Sequence, residues 1–395
     1  MVTKEKESIK KKVYPRHTEK IMKGNYAAAE AAKLCRTGFI PAYPITPQTT
    51  IVEQLSDMTA RGEMDAGYIN MDSEHSVFAA AMGAALGGER VFTATAGQGL
   101  FYAHEVLHAI AHFRLPMVVC NVGRPSIPWN IWSDQSDSLS QRDTGWVQLY
   151  GESSQEVLDT IIMSYILAEK LDIPVMVVLD AFYQSHTSEN VWIPDQDLVD
   201  EFLPAKKRKG NEIDGESPKS YGGLVPPEHY GKFNYSFWKA INKVEDLVTE
   251  IGQEFENKFG RSYGPVETVN IGPETKMVFV TVSSITSTVR GVIKKYPEIG
   301  LIKLRLVKPF PKKSFIKAIE PLNDDVKLIV TERNFMGDNE GALMQELKRA
   351  LYGERNLKMY DFYVGLGGKD IPPVTIEKVI HRARTNPKDV NWIGF

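Results

Sequence analysis

From residue 25 onward, short apolar runs alternate with longer stretches whose apolar positions recur every three or four residues. The short runs read as strands: Phe39–Tyr43, Gly67–Met71, Val91–Thr95, Met117–Asn121, Val147–Tyr150 and Pro174–Asp180. The longer stretches read as helices. One is alanine-rich, capped by Asn25 and ended by Gly38. Another starts with Thr46 as cap and Pro47 as first helical residue and runs to about Arg61. Ser73 caps a third, reaching about Gly87, and two more span Leu100 to about Phe113 and Gln155–Leu171. Strand–helix alternation of this kind predicts a parallel sheet covered by helices. Ligands then bind outside the carboxyl ends of the strands. That places a candidate site on Tyr43–Thr46, Asp72–Glu74, Ala96–Gly99 and Val122–Asp137.

The pattern breaks between 204 and about 236, where Pro204-Ala-Lys-Lys-Arg-Lys-Gly210 and the Gly/Pro-rich stretch 222–227 predict a linker or long surface crossing. A long polar helix is expected from about Tyr235 to Phe259. A second α/β unit begins near Lys276, with strands at Met277–Val282, Leu301–Leu304, Val326–Val330 and Lys358–Phe362 and helices near 285–296, 311–320 and 340–352. The expected organisation is an N-terminal extension (1–24), a first α/β domain (25–203), a linker and connecting helix (204–260) and a smaller second α/β domain (261–395). The basic N-terminus lacks the apolar core of a secretory signal and reads as a surface tail or an arm on a partner.

Composition removes several function classes. A net charge of −3 gives no pull toward nucleic acid, and no apolar run is long enough to span a membrane. The two cysteines, Cys35 and Cys120, build neither a disulfide framework nor a four-cysteine cluster. This usage fits a reducing, cytoplasmic setting.

Each candidate residue also has a plain reading. Glu74 opens a helix after a strand, where any acid is favoured by the helix dipole. Thr46 is explained by capping. Arg124, at the end of an apolar strand, suits either bidentate carboxylate binding or a simple surface role. His104-Glu-Val-Leu-His108 matches the H-E-x-x-H zinc-peptidase pattern, with His112 continuing the face. The third ligand of the long metzincin form is absent. Gly365-Leu-Gly-Gly-Lys-Asp370 fails the Walker spacing.

Taken in order, the segments carry more than any one motif. Tyr43-Pro-Ile-Thr-Pro-Gln-Thr49, Ser73-Glu-His-Ser76, Phe92-Thr-Ala-Thr-Ala-Gly-Gln-Gly99, Asn130-Ile-Trp-Ser-Asp-Gln-Ser-Asp137 and Gln141-Arg-Asp-Thr-Gly145 are followed by Leu224-Val-Pro-Pro-Glu228, Lys308-Pro-Phe-Pro311 and Gly365-Leu-Gly-Gly368. This series resembles the α subunit of pyruvate:ferredoxin oxidoreductase and its 2-oxoacid relatives, from about residue 24 onward. The resemblance implies a thiamine-diphosphate pyrimidine-binding-like parallel-sheet domain, then a transketolase-C-terminal-like domain. It makes Glu74 the catalytic glutamate that contacts the cofactor's aminopyrimidine and promotes loss of the thiazolium proton. It makes Thr46 and Arg124 substrate-binding residues. Tyr43, Pro44 and Gln98 join Glu74 as cofactor-binding residues, and no resident metal is expected on this chain. No Gly-Asp-Gly triplet, which opens the usual magnesium–diphosphate motif, occurs here. The cofactor is therefore expected to be shared with a partner β subunit holding magnesium and the diphosphate. Iron–sulfur clusters are expected on a ferredoxin-like partner subunit only, with ferredoxin as acceptor.

The family's stretch between the arginine and Asn-Ile-Trp is replaced here by the one-residue-shorter Pro125-Ser-Ile-Pro-Trp129, and its Asp-His-Ser-Asp by Asp134-Gln-Ser-Asp137. A reshaped pocket raises a substrate other than pyruvate. Oxalate, used by the oxalate oxidoreductases of the same superfamily, stands slightly ahead of pyruvate. Two rival readings remain: a structural subunit whose partners do all the chemistry, and a zinc peptidase built on His104, Glu105 and His108.

Overall fold

The computed structural model describes residues 14–394 apart from 208, 211 and 217. Of the N-terminal extension, residues 1–13 lie outside the described residues. The rest of that segment is not a tail. His17–Lys23 forms strand β1, which pairs antiparallel with a strand at Ser188–Pro194.

Along the chain, β1 leads into helix α1 (Gly24–Leu34), β2 (Phe39–Ala42), α2 (Thr49–Ala60), β3 (Gly67–Asn70), α3 (Glu74–Leu86) and β4 (Phe92–Thr95). Next come α4 (Gln98–Tyr102), α5 (His104–His112), β5 (Val118–Gly123), α6 (Ser136–Leu139), β6 (Val147–Tyr150), α7 (Ser154–Leu171), β7 (Val175–Asp180), β8 (Ser188–Pro194) and α8 (Gln196–Phe202). Beyond residue 226 follow α9 (Pro227–Ile241), α10 (Val244–Phe259), β9 (Val266–Val269), β10 (Met277–Thr281), α11 (Ile285–Ile293), β11 (Ile299–Leu304) and β12 (Leu306–Lys308). The chain ends with α12 (Lys312–Ile319), β13 (Lys327–Glu332), α13 (Ala342–Leu351), β14 (Lys358–Tyr363), α14 (Pro373–Thr385) and β15 (Val390–Trp392).

Two sheets organise these elements. The first has the order β12-β6-β7-β5-β4. It is parallel except for β12, and a parallel bridge from Phe39 to Val91 carries it on to β2, which pairs with β3. The second has the order β15-β14-β13-β10-β11-β9, parallel except for β9. Strands β4, β5, β6 and β7 are buried along their whole length, as a sheet covered on both faces requires. The strand after residue 305 crosses into the first sheet. One apolar cluster joins Phe78, Leu107 and Trp146 to Val280, Val330 and Leu343. The two α/β units thus share a core. Among the described residues, no helix is long and apolar enough to cross a membrane.

Several local expectations differ. Asn25 does not cap α1, which already begins at Gly24, with the N–H groups of Gly24 and Asn25 held by the carbonyls of Gln184 and Ser185. Its side chain instead donates to the Pro47 carbonyl and Thr50 Oγ1, both at 2.8 Å. Thr46 is likewise no cap, since α2 begins at Thr49 after Gln48. The helix expected over Leu100–Phe113 divides at Ala103 (φ −85°, ψ 0°), following the tight turn at Gly97 (φ 49°). The long helix expected from Tyr235 divides at Asn242, whose side chain donates to the Trp238 carbonyl and closes α9. Helix α14 went unread, although its buried Ile376, Val379, Ile380 and Ala383 keep helical spacing behind Pro373.

Candidate active site

The carboxyl ends of β2, β3, β4 and β5 open on the same edge of the first sheet, so four sequence-distant loops meet there. Ser73 caps α3 through its side chain, which accepts from Ser76 N–H at 3.2 Å. That cap sets Glu74 in the first turn, where free N–H groups favour a carboxylate. Glu74 is buried. Its carboxylate lies against the backbone of Gly99: a Cβ there would stand 2.5 Å from Glu74 Oε1 and 2.7 Å from Thr95 Oγ1. Thr95 Oγ1 is itself buried without a protein partner.

Arg124 enters from the end of β5 and is only 4 % exposed. Its guanidinium donates to the Thr46 carbonyl and to Gln98 Oε1, while Nε is buried without a partner. Gln98 Nε2 donates to the Ser126 carbonyl at 2.6 Å. Gly97 permits this packing, since a Cβ at that position would lie 2.2 Å from Arg124 Nε. Burial lowers the guanidinium's pKa, and the charges of Asp137 and Glu74 oppose that shift.

Glu74, Arg124, Gln98 and the Thr46 carbonyl are thereby brought together. The Thr46 side chain is exposed, as is Pro44, and both lie on the loop after β2. Tyr43 is half-buried, and its carbonyl accepts from Gln48 Nε2 at 2.8 Å. Sequence reasoning did not single out Asp137. It is fully buried, and its Oδ2 accepts from Gly97 N–H at 2.8 Å and Arg124 N–H at 3.1 Å. One carboxylate therefore ties the loop after β4 to the loop after β5. Burial pushes this carboxyl up to about 6, against the hydrogen bonds from Gly97 and Arg124. Its residue type and place in the Asn130–Asp137 block were visible, but its burial was not.

The His104–His108 pair does not form a peptidase centre. The rings stand 4.9 Å apart, and His104 Nδ1 is engaged by Gln141 Oε1. The Glu105 side chain is 83 % exposed and lies 3.7 Å from His75. Among the described residues, no three His, Cys, Asp or Glu side chains gather as a metal ligand set.

Two family models match in sequence. The pyruvate flavodoxin/ferredoxin oxidoreductase thiamine-diphosphate-binding domain covers residues 30–253, and the pyruvate:ferredoxin oxidoreductase core domain II covers 275–376. Ketoisovalerate oxidoreductase subunit VorA of Pyrococcus horikoshii is 41% identical over 388 residues, 95% of this chain and 97% of that protein. Pyruvate synthase subunit PorA of Methanothermobacter thermautotrophicus is 40% identical over 383 residues, 95% of this chain and 98% of that protein. The chain belongs to the 2-oxoacid:ferredoxin oxidoreductase family. It is the α-type subunit of a multi-subunit oxidoreductase. Among solved structures, a 2-oxoglutarate:ferredoxin oxidoreductase from Magnetococcus marinus has the same fold at TM-score 0.72 and 20% identity. The match spans 93% of this chain and 65% of that one. A split-gene transketolase matches at TM-score 0.52 and 11% identity over 90% of this chain and 91% of that one. Both likenesses concern the fold alone.

Proposed function

We propose that this oxidoreductase subunit contributes the cofactor-activating face of a site that oxidatively decarboxylates a small monocarboxylic 2-oxoacid. One observation carries the reading: a buried Glu74, capped onto α3 and seated on Gly99, shares its pocket edge with the buried guanidinium of Arg124. Thiamine diphosphate fits this edge, because Thr95 Oγ1 and Arg124 Nε are buried polar atoms without partners beside the buried Glu74. When bound, the cofactor supplies the nucleophilic carbon and the electron sink for decarboxylation.

This chain's residues do the rest. Glu74 holds a proton at the cofactor's aminopyrimidine and fixes its orientation. Tyr43, Pro44 and Gln98 line the same edge beside the ring. Arg124 takes the substrate carboxylate in place of the neutral Gln98 Oε1 it now holds, a stronger charge-assisted pairing. Thr46 positions the substrate from the loop after β2. Cys35 and Cys120 are the two cysteines of the sequence and both are buried, short of the four thiolates that a cluster takes. The clusters are assigned to partner subunits on that ground, and magnesium and the diphosphate on the lack of a Gly-Asp-Gly triplet in this sequence, with electrons leaving to ferredoxin in the cytoplasm.

A single guanidinium matches a single carboxylate, which favours pyruvate or its branched analogue ketoisovalerate. Oxalate rests on the altered Pro125–Trp129 loop alone. The test uses the complex purified with its partner subunits and follows viologen reduction. Pyruvate and ketoisovalerate are each offered with coenzyme A, and oxalate is offered alone. Reduction by either monocarboxylate is expected, and reduction by oxalate only would reverse the substrate choice. Glu74→Gln should lower turnover at least tenfold, about 1.4 kcal/mol of barrier. A smaller loss would return the chain to a purely structural role.

A further inference from the structure

The loop that follows Arg124 is held to its own domain near its ends, where Gln98 Nε2 donates to the Ser126 carbonyl at 2.6 Å and Asp134 N–H donates to the Gly123 carbonyl at 3.3 Å. Between Pro125 and Trp132 it exposes Ile127 (76 %), Trp129 (67 %) and Trp132 (52 %). Further hydrogen bonds run from it to the second α/β unit. Asn130 Nδ2 donates to the Gly367 carbonyl at 2.8 Å, and Gly367 N–H donates to Asp134 Oδ2 at 3.2 Å. Gln135 N–H donates to the Arg333 carbonyl at 2.9 Å, and Arg333 Nη1 donates to Ser133 Oγ at 3.2 Å. Gly368 (φ 80°) lies so close to Trp132 that a Cβ would meet its Cβ at 2.1 Å.

Arg333 is the centre of this clamp. It is 2 % exposed and stands at the carboxyl end of β13. Nη1 also donates to Asp180 Oδ2 at 3.1 Å, Nε donates to the Gly365 carbonyl at 3.2 Å, and the guanidinium stacks on the Tyr183 ring at 4.7 Å. Its position is over-determined by groups from β7, the loop after β14 and the loop after β7. Two residues beyond Gln135, Asp137 Oδ2 holds the backbone N–H groups of Gly97 and Arg124. A continuous path of hydrogen bonds and one short chain segment, 135–137, therefore runs from Arg333 to the main chain of Arg124.

We propose that Arg333 is a positioning residue for the substrate pocket. It braces the 126–135 loop from the second domain, and so sets the register of Asp137, Gly97 and Arg124 and the shape of the wall that meets the 2-oxoacid side chain. The inference rests on the assignment of Arg124 to the substrate carboxylate. It gives the second domain a part in specificity beyond packing. The geometry explains why a brace is needed there. Misplacement of a guanidinium by about 1 Å can cost on the order of a hundredfold in rate, and between its held ends the loop is exposed at Ile127 and Trp129.

The test compares wild type, Ser133→Ala and Arg333→Lys in the complex assembled with its partner subunits. Ser133→Ala removes one acceptor of the brace and buries no charge. Arg333→Lys keeps the charge beside Asp180 but loses the planar fork. Two readouts are taken: hydrogen exchange of the 126–135 amides, which needs no turnover, and steady-state kinetics with pyruvate and with ketoisovalerate. Faster exchange in the loop is expected. It should come with a rise in KM of about three- to tenfold, a smaller change in kcat, and at least a threefold change in the kcat/KM ratio between the two substrates. Unchanged exchange overturns the brace. So does faster exchange with KM and the ratio unaltered, or an equal loss for both substrates, which marks a merely structural role. If Arg333→Lys does not assemble, Ser133→Ala decides. A wild-type complex that oxidises neither substrate overturns the functional reading instead, so the two failures are read separately.

Discussion

At position 99, any side chain would place its first carbon 2.5 Å from Glu74 Oε1 and 2.7 Å from Thr95 Oγ1. Gly99 lies within the short helix α4, where alanine is intrinsically better than glycine by about 1 kcal/mol. Gly99→Ala therefore sets that gain against overpacking on Glu74 and Thr95, and is expected to push the Glu74 carboxylate off its seat. Turnover should fall at least tenfold with a melting temperature within a few degrees of wild type, read by viologen reduction and circular dichroism. Retained turnover would mean that the Glu74 position is not critical. Glu74, Arg124 and Gln98 were legible as candidates because each sits just past a readable strand. The glycine that shapes their pocket was legible only as a turn residue, since the need for an absent Cβ depends on what packs against it.

Strands β13 and β14 end beside the start of α13. There, Glu332 Oε1 accepts from Met344 N–H at 2.8 Å and Asp361 Oδ2 accepts from Gly341 N–H at 2.7 Å. Burial, with the charge of Asp361 adding to it, pushes the Glu332 carboxyl up to about 8 from an ordinary 4.5. The folded state thus binds this proton more tightly than the unfolded chain does. Stability contributed by the protonated form is present below about 4.5 and is lost as pH rises toward 8. Glu332→Gln should flatten that decline and raise the melting temperature at pH 8 relative to wild type. Melting curves from pH 5 to 9 check this, and parallel curves for the two proteins would refute it. The strands were readable from their apolar runs, but the carboxyl pair was not. Its members are separated by a helix, and only the sheet register, with Glu332 opposite Tyr363, brings them side by side.

Across the whole molecule the two α/β units are joined by buried charge as well as by apolar packing. Lys303 on β11 is 1 % exposed, with Nζ 2.6 Å from Glu156 Oε2 and 2.8 Å from Glu152 Oε2. Arg305 on the same strand end pairs with the other oxygen of Glu156. Burial pushes Glu152 up, but Arg290 and Lys303 outweigh it and hold the carboxyl down at about 2. Removing one partner of such a network leaves an uncompensated charge in the interior. Lys303→Met should destabilise the folded chain by roughly 3 kcal/mol, measured by urea unfolding of the purified subunit. A change below about 1 kcal/mol would show that Arg305 and Arg290 suffice.

The sequence by itself determined the elements whose signals are local. The run Val147–Tyr150 coincides with β6, and Ser73 caps α3 through its own side chain. Periodicity and capping are properties of a few neighbouring residues, so they survive whatever packs around them. The parallel α/β class and the loops that carry the candidate site follow from the same signals. Tertiary structure decided what depends on distant partners. It placed Asn25 inside α1, whose first N–H groups are held by carbonyls far along the chain, and it started α2 three residues beyond Thr46. It buried Asp137 between two loops. It also set Arg333 against Ser133, 200 residues away in sequence, a contact that no local pattern encodes because only the packing of one sheet on the other creates it.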